Sequence, residues 1–193
     1  MKLCFIDVET TGTDPVKNGI IQLSGQLVID SKEHEPFDFK VAPILTDLID
    51  DKALKISGIT RDDLKSEEFK TPKYVKGAFL DILGEQVDKY QRTSKFFFVG
   101  YFANFDYQFM REWFLKQGDI YFGAWFWHPP IDVAVLAIAA LGDRRMKMPN
   151  FKLATVAKEF GIEVDADRLH DAAYDIELTR RIYDLIAFVP IPG

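Results

Sequence analysis

The sequence has one cysteine, Cys4. No internal disulfide is open to it, and the expected setting is a reducing compartment with Cys4 as a small core residue. Long apolar runs are missing too. The longest, Val133–Leu141, has nine residues, far fewer than the roughly 20 that a bilayer-spanning helix needs. Acids at Asp7 and Glu9 interrupt the start, where a secretory signal requires an unbroken apolar stretch. A soluble, cytoplasmic protein with no membrane partner is expected. Basic charge is scarce: Lys and Arg total 24 against 30 Asp and Glu, for a net charge of −6. That excludes a protein that holds nucleic acid by bulk positive charge, and leaves open an enzyme that uses acids to hold metal ions. The three histidines and one cysteine make no zinc-spaced cluster. Repeats, low-complexity stretches and linkers are absent, so residues 1–193 read as one domain with a short tail at 188–193.

What is abundant is apolar surface, at 48% hydrophobic and 14% aromatic residues. That much outweighs chain entropy and excludes disorder. Residues 3–8, 20–29 and 37–41 read as strands joined by short links containing Asp14-Pro15, Asn18-Gly19 and Glu35-Pro36, which favours an antiparallel meander. A helix is expected from Thr46 to Ile56, and another from Pro72, as an N1 proline, to near Lys89. Lys95–Phe102 reads as an apolar strand and Phe105–Gln117 as a helix. Tyr121–Trp127 reads as a strand broken by Pro129-Pro130, its Trp125 and Trp127 read as core packing, with stacking of an exposed tryptophan on bases as the alternative. Helices follow over Asp132–Leu141, Phe151–Phe160 and Asp171–Phe188, with Gly142 and Gly161 as stops. The order predicts an α/β domain, α+β in sequence, around one mixed sheet.

Three features carry chemistry. Asp7 and Glu9 end the first strand, and strand alternation puts both on one face, roughly 7 Å apart. Two carboxylates beside Phe5, Ile6 and Val8 repel one another. A divalent cation would compensate them, and a solvated strand end is the alternative. Asp106 follows the apolar strand where a helix begins, as a metal ligand or as a first-turn acid beneath an Asn104 cap. Asp175 shares a helical face with Ala172, Thr179, Ile182 and Ile186, the face expected to pack on the sheet, where an unpaired carboxylate is costly. His170 lies just ahead of that helix. His34 and His128 read as solvated.

Together these features resemble the DEDD superfamily of 3′→5′ exonucleases. The stretches that carry the likeness are Phe5-Ile-Asp7-Val-Glu9-Thr-Thr-Gly12, Gly100-Tyr-Phe-Ala-Asn-Phe-Asp106 and His170-Asp-Ala-Ala-Tyr-Asp175, with Ile56-Ser-Gly-Ile-Thr60, Ile131-Asp132 and Lys152–Ile162 in support. The sister branch places a tyrosine four residues before the last aspartate, where this chain has Asp171. His170, five residues before it, fits the DEDDh branch, whose members include the proofreading subunit of bacterial replicative DNA polymerase. The resemblance implies an RNase H-like fold with a mixed five-stranded sheet. It implies that Asp7, Glu9, Asp106 and Asp175 hold two Mg²⁺ or Mn²⁺ ions, with His170 as general base. One departure stands out: many relatives carry His-Asn after the glycine matched by Gly100, and here the pair is Tyr101-Phe102.

The implied substrate is a single-stranded 3′ end, DNA ahead of RNA, released as nucleoside 5′-monophosphates, with a polymerase as a second partner. Thr10 and Thr11 are expected to meet the terminal nucleotide. Ile59 and Phe105 are apolar contacts to bases or else core. Arg144 and Arg145, in a basic stretch with Lys147, Lys152 and Lys158, guide phosphates or form a solvated face. An RNA-trimming exoribonuclease of the same family is one alternative. The other is an inactive domain that binds nucleic acid or a polymerase.

Overall fold

A computed structural model describes residues 1–88, 90–169 and 171–187. His170 and the tail at 188–193 lie outside the described residues. The elements are β1 (Lys2–Thr10), β2 (Ile20–Ile29), β3 (Lys32–Glu33), β4 (Phe37–Lys40), α1 (Asp51–Ile56), α2 (Pro72–Gly84), β5 (Phe96–Gly100), α3 (Asn104–Lys116), β6 (Phe126–Asp132), α4 (Val133–Ala140), α5 (Leu153–Glu159) and α6 (Ala172–Ala187). They build one mixed sheet in the order β3-β2-β1-β5-β6, with β4 also paired to β2. β1 runs antiparallel to β2 and parallel to β5, and β5 runs parallel to β6.

The sheet has six strands where five were expected. β3 and β4 share one edge of β2: β3 pairs with Val28 and Ile29, and β4 with Gln22 to Gly25. The extra strand comes from a tight turn at Asp30 and Ser31, whose φ of 49° and 65° suits the right-handed twist of a hairpin. The expected strand at 121–127 also moves. Phe122–Ala124 is a 3-10 turn, and β6 runs on through Pro129 and Pro130 to Asp132. Proline is tolerated there because β6 is the sheet's edge.

Two apolar layers cover the sheet. Cys4, Ile6 and Val8 of β1 pack with α2 and α3 through Val75, Phe79, Leu83, Phe109 and Met110. Leu3 and Phe5, on the other face, pack with α4, α5 and α6 through Ala137, Val156, Leu178 and Ile182. The Phe5 and Tyr183 rings meet edge-on at 5.7 Å. This alternation assigns the next residues on the α6 face, Asp7 and Glu9, to the carboxyl end of the central strand. Trp125 is buried in the first layer, as expected for packing, and the Trp127 ring stacks on Phe97 at 6.2 Å.

α2 begins as expected, with Pro72 behind a Thr71 cap whose side chain accepts from the Tyr74 amide, but ends at Gly84. The helix expected from Thr46 is confined to Asp51–Ile56, because Asp50 caps it. Residues ahead of the cap are held otherwise: Asp47, its side chain 1% exposed, pairs with Lys116 at 2.6 Å. Asn104 is not the cap of α3. It is the first helical residue, behind Ala103, because Phe102 already turns the chain.

Candidate active site

The pairing of β1 with β5 runs from Leu3 to Phe5, and β5 ends soon after, at Gly100, while β1 continues to Thr10. This is the carboxyl end of the parallel strands, where open α/β sheets place their ligands. Gly100 ends β5 tightly: a Cβ there would lie 3.2 Å from the Ile6 carbonyl oxygen. Past the end of β5, the Val8 amide on β1 lies beyond the β1–β5 pairing. It donates instead to Asp106 Oδ1 from α3, at 3.1 Å. Asp106 is 4% exposed, so this bond fixes a buried carboxylate against the central strand.

Asp7 and Glu9 stand on one face of β1, both partly exposed. Asp175, in the first turn of α6, is also partly exposed, and its neighbours Ala172, Thr179 and Ile182 are buried as the helical face requires. Asp7 lies within reach of the charges of Glu9 and Asp175, and Asp106 within reach of those of Asp7 and Glu9. Burial, then repulsion from Glu9 and from Asp175, holds the Asp7 carboxyl up at about 8. Burial and the Asp7 charge push Asp106 well above the usual carboxylate range, against the opposing pull of the Val8 amide. The structure therefore brings together the four acids singled out in the sequence, from β1, α3 and α6.

These acids fit a hard divalent cation by donor chemistry, all oxygen, and by charge, since two of them are held against their preference to ionise. Among the described residues, no three acidic, histidine or cysteine groups are already drawn into a closed metal cluster. The fit rests on charge and donor type, not on ready-made coordination.

One residue of the site was not expected. Ser57 Oγ, at the end of α1, donates to Glu9 Oε2 at 2.5 Å. In the sequence Ser57-Gly58 reads only as a helix stop. The signal that could have marked it was Ile56-Ser-Gly-Ile-Thr60, noted as part of the resemblance.

The expected substrate contacts divide. Thr11 has no exposed surface. Its hydroxyl donates to the Leu48 carbonyl at 2.7 Å and accepts from the Gly19 amide at 2.8 Å. Its main chain is also taken, giving its N–H to Gly19 and its carbonyl to Asp50. Thr11 is thus a brace between two loops. Thr10 is buried too, and its hydroxyl donates to the Gly12 carbonyl at 2.7 Å. Ile59 is half-buried against the small cluster of Ile21, Leu54, Leu64 and Phe69. Phe105 is 40% exposed, one residue before Asp106. Arg144 and Arg145 are both exposed, and Arg144 is paired with Glu159 at 2.9 Å.

A mixed sheet whose central strand ends in clustered carboxylates, with helices on both faces, defines an RNase H-like nuclease fold. The chain belongs to the RNase_T family, described as Exonuclease, whose pattern matches residues 4–183. This bears out the resemblance to the DEDD exonucleases. The chain is 27% identical over 178 residues to a PolC-type DNA polymerase III of Thermotoga petrophila, covering 92% of this chain and 11% of that polymerase. The corresponding polymerase of Thermotoga maritima is 26% identical over the same length. Among solved structures, E. coli exonuclease I in complex with a dT13 oligonucleotide superimposes with a TM-score of 0.76 at 22% identity, covering 97% of this chain and 41% of that one. Exonuclease I in a complex described as ExoI/SSB-Ct gives a TM-score of 0.70 at 20% identity, covering 96% and 41%. The chain thus spans about a tenth of its curated relatives and two fifths of these structures. No helix among the described residues is long and apolar enough to cross a membrane.

Proposed function

We propose that this nuclease is a metal-dependent 3′→5′ exonuclease that trims single-stranded ends, DNA ahead of RNA, to nucleoside 5′-monophosphates. The observation that carries the reading is the carboxylate cluster itself. The charges of Glu9 and Asp175 raise the proton affinity of Asp7, and Asp7 in turn raises that of Asp106, and a fold keeps so unfavourable a group where a cation answers it. These four side chains would hold two Mg²⁺ or Mn²⁺ ions. When bound, such ions supply stabilisation of the charge on the attacking and leaving oxygens of a phosphodiester.

The chain's own groups have distinct tasks in this reading. Asp106 is anchored by the Val8 amide and fixes one carboxylate with respect to the strand that carries Asp7 and Glu9. Ser57 orients Glu9. His170, five residues before Asp175, accepts the proton of the attacking water, a role that suits an imidazole with a near-neutral pKa. Phe105, exposed beside Asp106, offers a face for a terminal base. Thr10 and Thr11 contribute by shaping the loop after β1. Of the two arginines, Arg145 is the one free of Glu159 and better able to attract phosphates, with exposed Lys147, Lys152 and Lys158 in the same stretch. The likeness to PolC-type polymerases supports a polymerase, in the same chain or a partner, as supplier of the strand.

The test is direct. Labelled single-stranded DNA and RNA of equal sequence are incubated with Mg²⁺, with and without EDTA, and the products resolved. Successive loss of 5′-monophosphates from the 3′ end, faster on DNA and abolished by EDTA, is expected. Turnover in EDTA would reject the metal assignment, and binding without turnover would favour an inactive binding domain. Preference for RNA would move the reading to RNA trimming.

A further inference from the structure

Phe102 adopts a backbone conformation that its side chain disfavours. Its φ is +57°, in the left-handed region where a Cβ crowds the chain and where glycine or asparagine is usual. The residue is 50% exposed, so burial returns little against the strain. The neighbours hold it there. The Phe105 amide donates to the Phe102 carbonyl at 3.0 Å. The Tyr101 ring meets the Phe102 ring edge-on at 5.0 Å, and the Tyr101 hydroxyl is tied to the Phe151 carbonyl at 2.6 Å. On the side of Gly100 the turn has no slack, since a Cβ there would lie 3.3 Å from Ala103 Cα. This turn joins the end of β5 to α3 and lies four residues ahead of Asp106.

We propose that Phe102 is a stacking platform for an unpaired nucleobase at the mouth of the carboxylate site, with Tyr101 as its positioning residue. The proposal rests on the nucleic-acid reading above and adds a contact that Phe105 alone does not supply. Strained backbone persists where the surroundings over-determine it, and it clusters at functional sites. An exposed aromatic face suits this protein's particular need. With a net charge of −6 and clustered acids at the site, phosphate attraction is weak, whereas stacking needs no positive charge and tolerates any base. Phe102 and Phe105, 50% and 40% exposed, flank the same turn, giving two aromatic surfaces three residues apart.

The test uses the full chain with Phe102→Ala and Phe102→Asn. Binding of a fluorescein-labelled oligothymidylate is followed by anisotropy in Ca²⁺, and KM and kcat are measured in Mg²⁺. Both variants should weaken binding and raise KM about 5- to 50-fold, with kcat changed less than threefold, the scale of one lost base–aromatic stack. A strand with abasic sugars at its 3′ end should bind the parent and both variants alike. Phe102→Asn should also raise Tm by roughly 2–4 °C, because asparagine tolerates the left-handed backbone. Unchanged binding in both variants, or an equal loss on the abasic strand, would overturn the platform. The nuclease reading fails separately, by a parent that binds the strand and never cuts it. In that case base-dependent loss of binding in the variants still upholds the platform.

Discussion

Asp7 is held at a proton affinity far from that of a free carboxyl, and this makes the metal-free protein's stability depend on pH. The folded value is about 8 and the reference value 3.8. Between those limits the folded state keeps a proton that the unfolded chain releases, so stability falls as pH rises from about 4 to about 8 and then levels. At 1.36 kcal/mol per pKa unit, the whole shift corresponds to at most about 5–6 kcal/mol. Part of the shift comes from the neighbouring charges of Glu9 and Asp175, which the unfolded chain does not wholly lose and which relaxation and water screen, so the realised loss is smaller, about 2–4 kcal/mol. Asp7→Asn has no proton to lose and keeps nearly the same shape. In EDTA it should match the parent near pH 4 and exceed it by about 2–4 kcal/mol at pH 8–9. Urea unfolding at pH 4, 5, 6, 7, 8 and 9, with the slope on urea checked for constancy, measures this. The same titration in Mg²⁺ should flatten the parent's curve, since a bound cation favours the ionised carboxyl. Parallel curves for parent and variant in EDTA would refute the reasoning, as would a parent whose stability rises across this range.

Other outcomes follow from the same geometry. Ser57→Ala frees Glu9 and should raise the Mg²⁺ concentration for half-maximal activity by roughly tenfold, the worth of a hydrogen bond to a charged group; an unchanged Mg²⁺ requirement would reject the orienting role. Thr11→Val removes two buried hydrogen bonds and should cost about 2–3 kcal/mol of stability in thermal melts, while KM at a permissive temperature stays put. His170→Ala should lower kcat about 10²- to 10⁴-fold and lose the acidic limb of the pH–rate profile. Arg145→Glu should raise KM in low salt and lose its effect in high salt, while Arg144→Glu does less because Glu159 already engages that side chain.

The parts of the site that the sequence reveals are those set by local periodicity. Asp7 and Glu9 share a face because strand alternation is fixed, and Asp175 joins Thr179 and Ile182 because a helix repeats every 3.6 residues. Tertiary placement decides the rest. Ser57 meets Glu9 across 48 residues of sequence, and nothing local distinguishes it from an ordinary helix stop. Threonine hydroxyls after a strand look alike whether they face a ligand or a neighbouring loop, and Thr11 is settled by Gly19 and Leu48. Whether Pro129-Pro130 ends a strand depends on that strand's being at the sheet's edge, which is a property of the whole sheet. Asp47, buried against Lys116, occupies a stretch whose spacing reads as helix.

The bond between Asp106 and the Val8 amide bears on how inactive forms of this protein should be made. Asp106 closes a gap in the main-chain hydrogen bonding of the central strand as well as contributing charge. Asp106→Ala would therefore strip an acceptor from a buried amide and confuse loss of activity with loss of fold. Asp106→Asn retains an oxygen at that position and removes only the charge. For trapping a strand in an intact but idle site, the amide variant at Asp106 is the sound choice, and alanine at Asp106 is the one to avoid.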